Sequence, residues 1–122
     1  IASTVSYSLV TEGCYVNRCR VEASIVGIRT RIDERAVVKR SVLLGADSYD
    51  APTHGHPSGV ALGIGPNVEL DRVIVDKNAR IGEGCRLVNA QRLQTFDGPN
   101  YHIREGILIV PKDAVSAPGT VV

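Results

Sequence analysis

The chain has 122 residues and carries 14 Lys and Arg against 13 Asp and Glu, a formal net charge of +1. That balance makes no electrostatic case for a nucleic-acid or membrane-surface partner. The length fits one domain spanning residues 1–122, burying roughly two-thirds of its unfolded surface, and no apolar run approaches the ~20 residues that a bilayer-crossing helix needs.

With one Phe and no Trp, the core must be built from Val, Ile and Leu. That composition suits stacked short strands better than a sandwich or a helix bundle. Three cysteines (Cys14, Cys19 and Cys85) with no C-x-x-C pair argue against a disulfide framework or a zinc site. They read as small buried residues in a reducing compartment. The chain has no Met and opens at Ile1 inside a repeat-like phrase, so it is expected to be a C-terminal piece of a longer protein.

Residues 1–46 carry the first block of repeats. Ile1 and Val5 suit one hexad, followed by Val10, Val16, Val21, Val26, Ile32, Val38 and Leu44 at steps of six, five, five, six, six and six. Cys14, Ala36 and Val42 stand four residues after their aliphatics. No 3.6-residue period fits this run, and short buried strands joined by tight turns are expected. The five-residue steps read as phase slips absorbed at corners. Residues 47–63 break the pattern with two Pro, three Gly and two His, marking a first loop excursion.

Residues 64–88 resume the repeat with Ile64, Leu70, Val75, Ile81 and Leu87, backed by Val68, Ile74, Ala79 and Cys85. The phrase Val75-Asp-Lys-Asn-Ala79-Arg80-Ile81-Gly-Glu-Gly-Cys85-Arg-Leu87 states the rule most clearly. Large aliphatics stand six apart, a small residue follows each by four, and Gly, Asn and Asp fill the turns. This is a hexapeptide repeat, the signature of an all-β parallel β-helix. Residues 89–105 form a second excursion, with Leu93, Phe96 and Tyr101 available to pack on the coil or on a partner. Residues 106–122 return to the repeat through Val110, Ala114 and Thr120.

A solenoid wall repeats each turn position along its axis. Lys77 follows Val75 by two residues and Lys112 follows Val110 by two, so they share a register. With Arg80 nearby they suit a small anion site for a phosphate or carboxylate; solvated surface lysines are the alternative. Arg29 and Arg31 stand two apart and suit a further anion or an acidic neighbour, or simply a charged face. Arg18 and Arg20 raise the same question. His54 and His56 offer two metal ligands, and a third would have to come from His102 or another chain. Gly63-x-Gly65 precedes Pro66 with no helix signal, so it is no dinucleotide fingerprint.

Several phrases are more specific than a generic hexad. They are Gly27-Ile-Arg-Thr-Arg-Ile32, Leu44-Gly-Ala-Asp-Ser-Tyr-Asp50, Gly63-Ile-Gly-Pro-Asn67 and Val73-Ile-Val-Asp-Lys-Asn-Ala-Arg-Ile-Gly82. To these add Ile103-Arg-Glu-Gly-Ile-Leu-Ile-Val-Pro-Lys-Asp-Ala114 and Pro118-Gly-Thr-Val-Val122. In order and over almost the whole chain, they resemble the C-terminal domain of glucose-1-phosphate adenylyltransferase, also called ADP-glucose pyrophosphorylase. Ser48 stands where the family usually has an aromatic, Pro111 replaces an aliphatic, and the loop after Asp50 is short.

The resemblance implies a left-handed β-helix packed on an N-terminal nucleotidyltransferase domain that holds the catalytic residues. It implies a parent reaction with magnesium that makes ADP-glucose and pyrophosphate from glucose 1-phosphate and ATP, for glycogen or starch synthesis. This domain then binds no cofactor, has no turnover alone, and serves tetramer assembly, homo- or heteromeric, and control by sugar phosphates, 3-phosphoglycerate or phosphate. Lys77 and Lys112 match regulatory anion-site lysines of photosynthetic members. The implied compartment is a bacterial cytoplasm or a plastid stroma. Two other readings compete: a stand-alone hexapeptide-repeat acyltransferase or γ-type carbonic anhydrase using a His, and a structural assembly module with no effector site.

Overall fold

The computed structural model describes residues 3–49 and 57–122, and every regular element among them is a strand. Each turn of the solenoid contributes one short strand to each of three walls. The first coil holds β1 (Thr4–Ser6), β2 (Leu9–Val10) and β3 (Tyr15–Val16). The second holds β4 (Arg20–Glu22), β5 (Ile25–Val26) and β6 (Arg31–Ile32). The third holds β7 (Val37–Lys39) and β8 (Val42–Leu43), then closes with β9 (Gly63–Ile64) after the first excursion. The fourth holds β10 (Glu69–Asp71), β11 (Val73–Val75) and β12 (Arg80–Ile81). The fifth begins with β13 (Arg86–Leu87), detours through β14 (Thr95–Asp97) and β15 (His102–Arg104), and ends with β16 (Ile107–Val110) and β17 (Val115–Ser116).

Wall A is β1-β4-β7-β10-β13 and wall C is β3-β6-β9-β12-β17, with parallel pairing at every ladder. Wall B runs β2-β5-β8-β11-β16 in parallel. The triangular interior is filled by three columns. Val21, Val38, Leu70 and Leu87 stack in wall A; Val26, Leu43, Val75 and Val110 in wall B; Ile32, Ile64 and Ile81 in wall C, and all are buried. Strand geometry turns alternate side chains to opposite faces, and small residues (Cys19, Ala36, Val68 and Cys85) occupy a corner column with backbone bonds from coil to coil. The cysteines are free thiols, Cys19 and Cys85 buried and Cys14 partly so.

Two expectations about inward residues are corrected. Leu43, not Leu44, fills the core: Leu43 pairs with Val26 and Val75, while Leu44 is exposed. Likewise Val73 and Val75 point inward and Ile74 stands between them, half-buried. The cause is systematic. The step from wall A to wall B is five residues in every coil of the parallel block: Val5 to Val10, Val21 to Val26, Val38 to Leu43 and Leu70 to Val75. A serine ladder lines this corner in the second and third coils. Ser24 and Ser41 are buried, and each hydroxyl donates to the carbonyl two residues before it (Glu22, Lys39). Each also accepts an amide hydrogen from the next coil, Ser41 N–H and Val73 N–H respectively. Buried hydroxyls are thereby fully bonded.

The second excursion leaves the coil where the sequence places it and contains regular structure of its own. β14 and β15 form an antiparallel hairpin that extends wall B beyond β16. Ile103 is buried against Leu108, Leu93 and Tyr101 pack partly on the core, and the exposed Phe96 stacks on Tyr101 at 5.9 Å between ring centroids. Of the first excursion, residues 47–49 and 57–62 are described, and Val60 within it is buried. His54 and His56 lie outside the described residues.

Candidate functional site

The corner where wall B passes into wall C carries the lysines. Leu43, Val75 and Val110 pair in register, so Gly45, Lys77 and Lys112, two residues on, stack in successive coils about 4.8 Å apart. Backbone bonds fix the stack: Asn78 N–H donates to Gly45 O at 3.1 Å and Asp113 N–H to Lys77 O at 3.0 Å. Asn78 and Asp113 take the left-handed turn conformation (φ of 62° at both), which Asn and Asp adopt more readily than other side chains.

Asp47 organises this corner. Its Oδ2 accepts from Asn78 Nδ2 at 2.9 Å, and its backbone N–H donates to Asn78 Oδ1 at 2.9 Å. Lys77 Nζ stands 3.5 Å from Asp47 Oδ1. The Asn78 amide above all holds the Asp47 carboxyl below its ordinary range; desolvation opposes it, and Lys77 and then Lys112 add lesser pulls in the same direction as Asn78. Lys112 is exposed and makes no hydrogen bond or ion pair with a described residue. Two lysines thus stack in adjacent coils, one paired with Asp47 and the other making no ion pair among the described residues, an arrangement able to accept an external oxyanion. Asp47 and Asn78 are the members that sequence reading missed. The signal available was register, since Asp47 lies one place past the residue that aligns with Asn78.

Arg80 takes a different part. It stands on β12 in register with Gly63, and its Nη1 donates to Val60 O at 2.8 Å, fastening the first excursion to wall C. Arg29 sits at the same corner two coils below Asn78, with Nε donating to Ala46 O at 3.0 Å. Arg31 pairs with Asp33 through Nε and Nη2, both at 3.1 Å, and covers the Tyr15 ring at 4.6 Å. Both arginines line a cleft of about 280 Å³ with Tyr15, Tyr49 and Leu62, where Tyr49 Oη donates to Gly13 O at 3.1 Å. Arg18 and Arg20 do not converge. Arg18 occupies a turn (φ of 47°), while Arg20 lies on β4 with Glu22 at 3.9 Å.

His102 projects from β15, its Nδ1 2.8 Å from Asp97 Oδ1, an oxygen that also accepts from Arg104 Nη2 at 2.7 Å. The His102 ring and then the Arg104 guanidinium hold the Asp97 carboxyl below its usual range. No group of three or more His, Cys, Asp or Glu side chains gathers among the described residues.

Comparison with known proteins decides the family. A family model described as the GLGC left-handed parallel beta-helix domain matches residues 1–121. The chain belongs to this family. The domain is thus a left-handed β-helix, and the acyltransferase and γ-type carbonic anhydrase readings are not favoured. Among curated relatives, the glucose-1-phosphate adenylyltransferase small subunit, chloroplastic/amyloplastic, of Triticum aestivum is 36% identical over 124 aligned residues. The alignment covers 97% of this chain and 26% of that protein, so the chain spans about a quarter of its relative's length.

Proposed function

We propose that this domain is the regulatory and assembly module of a glucose-1-phosphate adenylyltransferase, and that the corner of Lys77 and Lys112 is its anion-effector site. The parent reaction joins glucose 1-phosphate and ATP into ADP-glucose and pyrophosphate. In this reading magnesium and the catalytic residues belong to a nucleotidyltransferase domain, and this domain alone turns over no substrate. The family match and the 36% identity to the wheat small subunit support the parent. The observation that carries the effector site is the stacking of Lys77 on Lys112 in adjacent coils, with only Lys77 paired, to the exposed carboxylate of Asp47. A phosphate bridging both ammonium groups replaces a weak, solvent-exposed ion pair with charge-assisted hydrogen bonds. Arg80 is a supporting residue here, since its bond to Val60 sets the position of the excursion beside the corner.

The assembly half of the proposal is supported by the first coil, whose outer edge exposes Tyr7, Leu9 and Tyr15. Partners of this kind are a catalytic domain and further subunits of a tetramer. A plastid or a bacterial cytoplasm would suit such an enzyme. Calorimetric titration with 3-phosphoglycerate, fructose 1,6-bisphosphate and phosphate tests the effector site. Binding is expected to weaken at least about 10-fold in Lys77→Ala/Lys112→Ala; affinity unchanged by the double substitution would remove the assignment.

A further inference from the structure

A second cationic cleft lies at the opposite edge of wall B, where wall A turns into it. Its volume is about 410 Å³, and its lining includes Arg40, Asp71, Arg72, Arg92, Gln94 and Gly106. Register brings these together. Arg40 and Arg72 each precede the first inward residue of wall B, and Arg72 N–H donates to Lys39 O at 3.1 Å, stacking one turn on the other. The next coil departs from the repeat at this height. Its excursion turns back at Arg92, whose N–H donates to Asn89 O at 2.9 Å, and returns at Gly106, whose N–H reaches Gln94 O at 3.3 Å. Asn89 holds this mouth open by donating to the carbonyls of Leu93 and Gly106 and accepting from Leu93 N–H.

The charges do not balance. Arg40 is engaged by Asp71 through both Nε and Nη2, with a weaker pull from Glu22. Arg72 and Arg92 side chains make no hydrogen bond or ion pair with any described residue. Three guanidinium groups and one carboxylate leave two positive charges in excess on one concave surface. Guanidinium forks match the oxygens of phosphate in a bidentate geometry that an ammonium cannot supply. Wall B separates this cleft from the lysine corner, since Arg72 precedes Val73 while Lys77 follows Val75.

We infer that this cleft is a separate binding site for a phosphate dianion, free or carried on a small phosphomonoester, with Arg72 and Arg92 as its principal ligands. Arg40 is held in place by Asp71, and the Gln94 amide is free to meet a hydroxyl of an esterified group. The site is independent of the lysine corner and does not rest on it.

Inorganic phosphate titrated into the isotope-labelled chain, at constant ionic strength set by chloride, tests this by amide chemical shifts. Saturable shifts are expected at Arg72, Gln94 and Gly106. Arg72→Gln/Arg92→Gln should weaken that binding about 10-fold or more, while Lys77→Ala/Lys112→Ala leaves it unchanged within about two-fold. If the double variant loses its fold, Arg92→Gln alone, in an exposed turn, must still weaken binding several-fold. Shifts that are absent, that follow chloride equally, or that vanish only in the lysine variant would overturn the inference.

Discussion

Two columns of the same solenoid show how differently its wall and its corner constrain sequence. In wall C the inward column reads Ile32, Ile64 and Ile81, each buried and each paired with the next. At the neighbouring corner the column reads Ile28, Gly45, Lys77 and Lys112, equally regular in its backbone bonds. The spacing is the same; only the medium differs. A side chain facing the interior must match the volume its neighbours leave. A corner side chain faces water, so the fold holds its position without fixing its chemistry. Corners are therefore where a β-helix can place charge with the accuracy of a strand and at little cost in stability.

The largest effect should come from the wall. Ile81→Ala, at a side chain with no exposure, is expected to cost about 2–5 kcal/mol through lost burial and the cavity left behind. Ile28→Ala removes the same atoms from a corner position that is 41% exposed, and should change stability by no more than about 0.5 kcal/mol. Urea denaturation of both variants measures the contrast, and equal losses would erase the distinction between wall and corner.

A smaller effect is expected where the corner backbone itself is constrained. In the third coil the left-handed turn residue is Gly45 (φ of 95°), one place earlier than Asn78 and Asp113 in the coils that follow. A Cβ at Gly45 would meet Ile28 O at 2.2 Å, a backbone atom that cannot move aside alone. Gly45→Ala is expected to cost about 1–3 kcal/mol. It should also loosen the anion site, because the Lys77 turn is fastened to this residue by the bond from Asn78 N–H to Gly45 O. Thermal unfolding with phosphate titration on one variant reads both consequences.

What the sequence revealed follows the same division. Hexad spacing located the three inward columns because burial restricts them to a few aliphatic types. Leu44 was misplaced by one position because the step from wall A to wall B is five residues and not six, and a buried, fully bonded Ser24 or Ser41 resembles a turn serine in one dimension. The hairpin of the second excursion was hidden because Thr95–Asp97 is exposed along its length, so it lacks a buried face to pattern it. Lys77 and Lys112 were legible as a pair through shared register. Asp47, Arg72 and Arg92 were not, because their convergence depends on where two excursions leave and rejoin the coil.

The least of the expected effects concerns the carboxylate beside Lys77. Asp47 occupies Lys77 as an internal anion, so an external one must compete with it. Its carboxyl has a lowered pKa in the folded chain, through the Asn78 amide first and then the nearby lysines. The stabilisation this represents is present above the ordinary aspartate pKa of 3.8 and is lost as pH falls through the lower folded value. It is therefore constant from pH 5 to 8, by roughly the margin of one unit above that pKa, and phosphate affinity at this corner should show no Asp47 titration there. Asp47→Asn removes the charge at any pH while preserving the shape. It is expected to leave thermal stability nearly unchanged and to raise phosphate affinity about two- to five-fold, by freeing Lys77 from a pair whose exposure already makes it weak. A fall in affinity on the same substitution would mean that Asp47 positions Lys77 for the anion rather than competing with it.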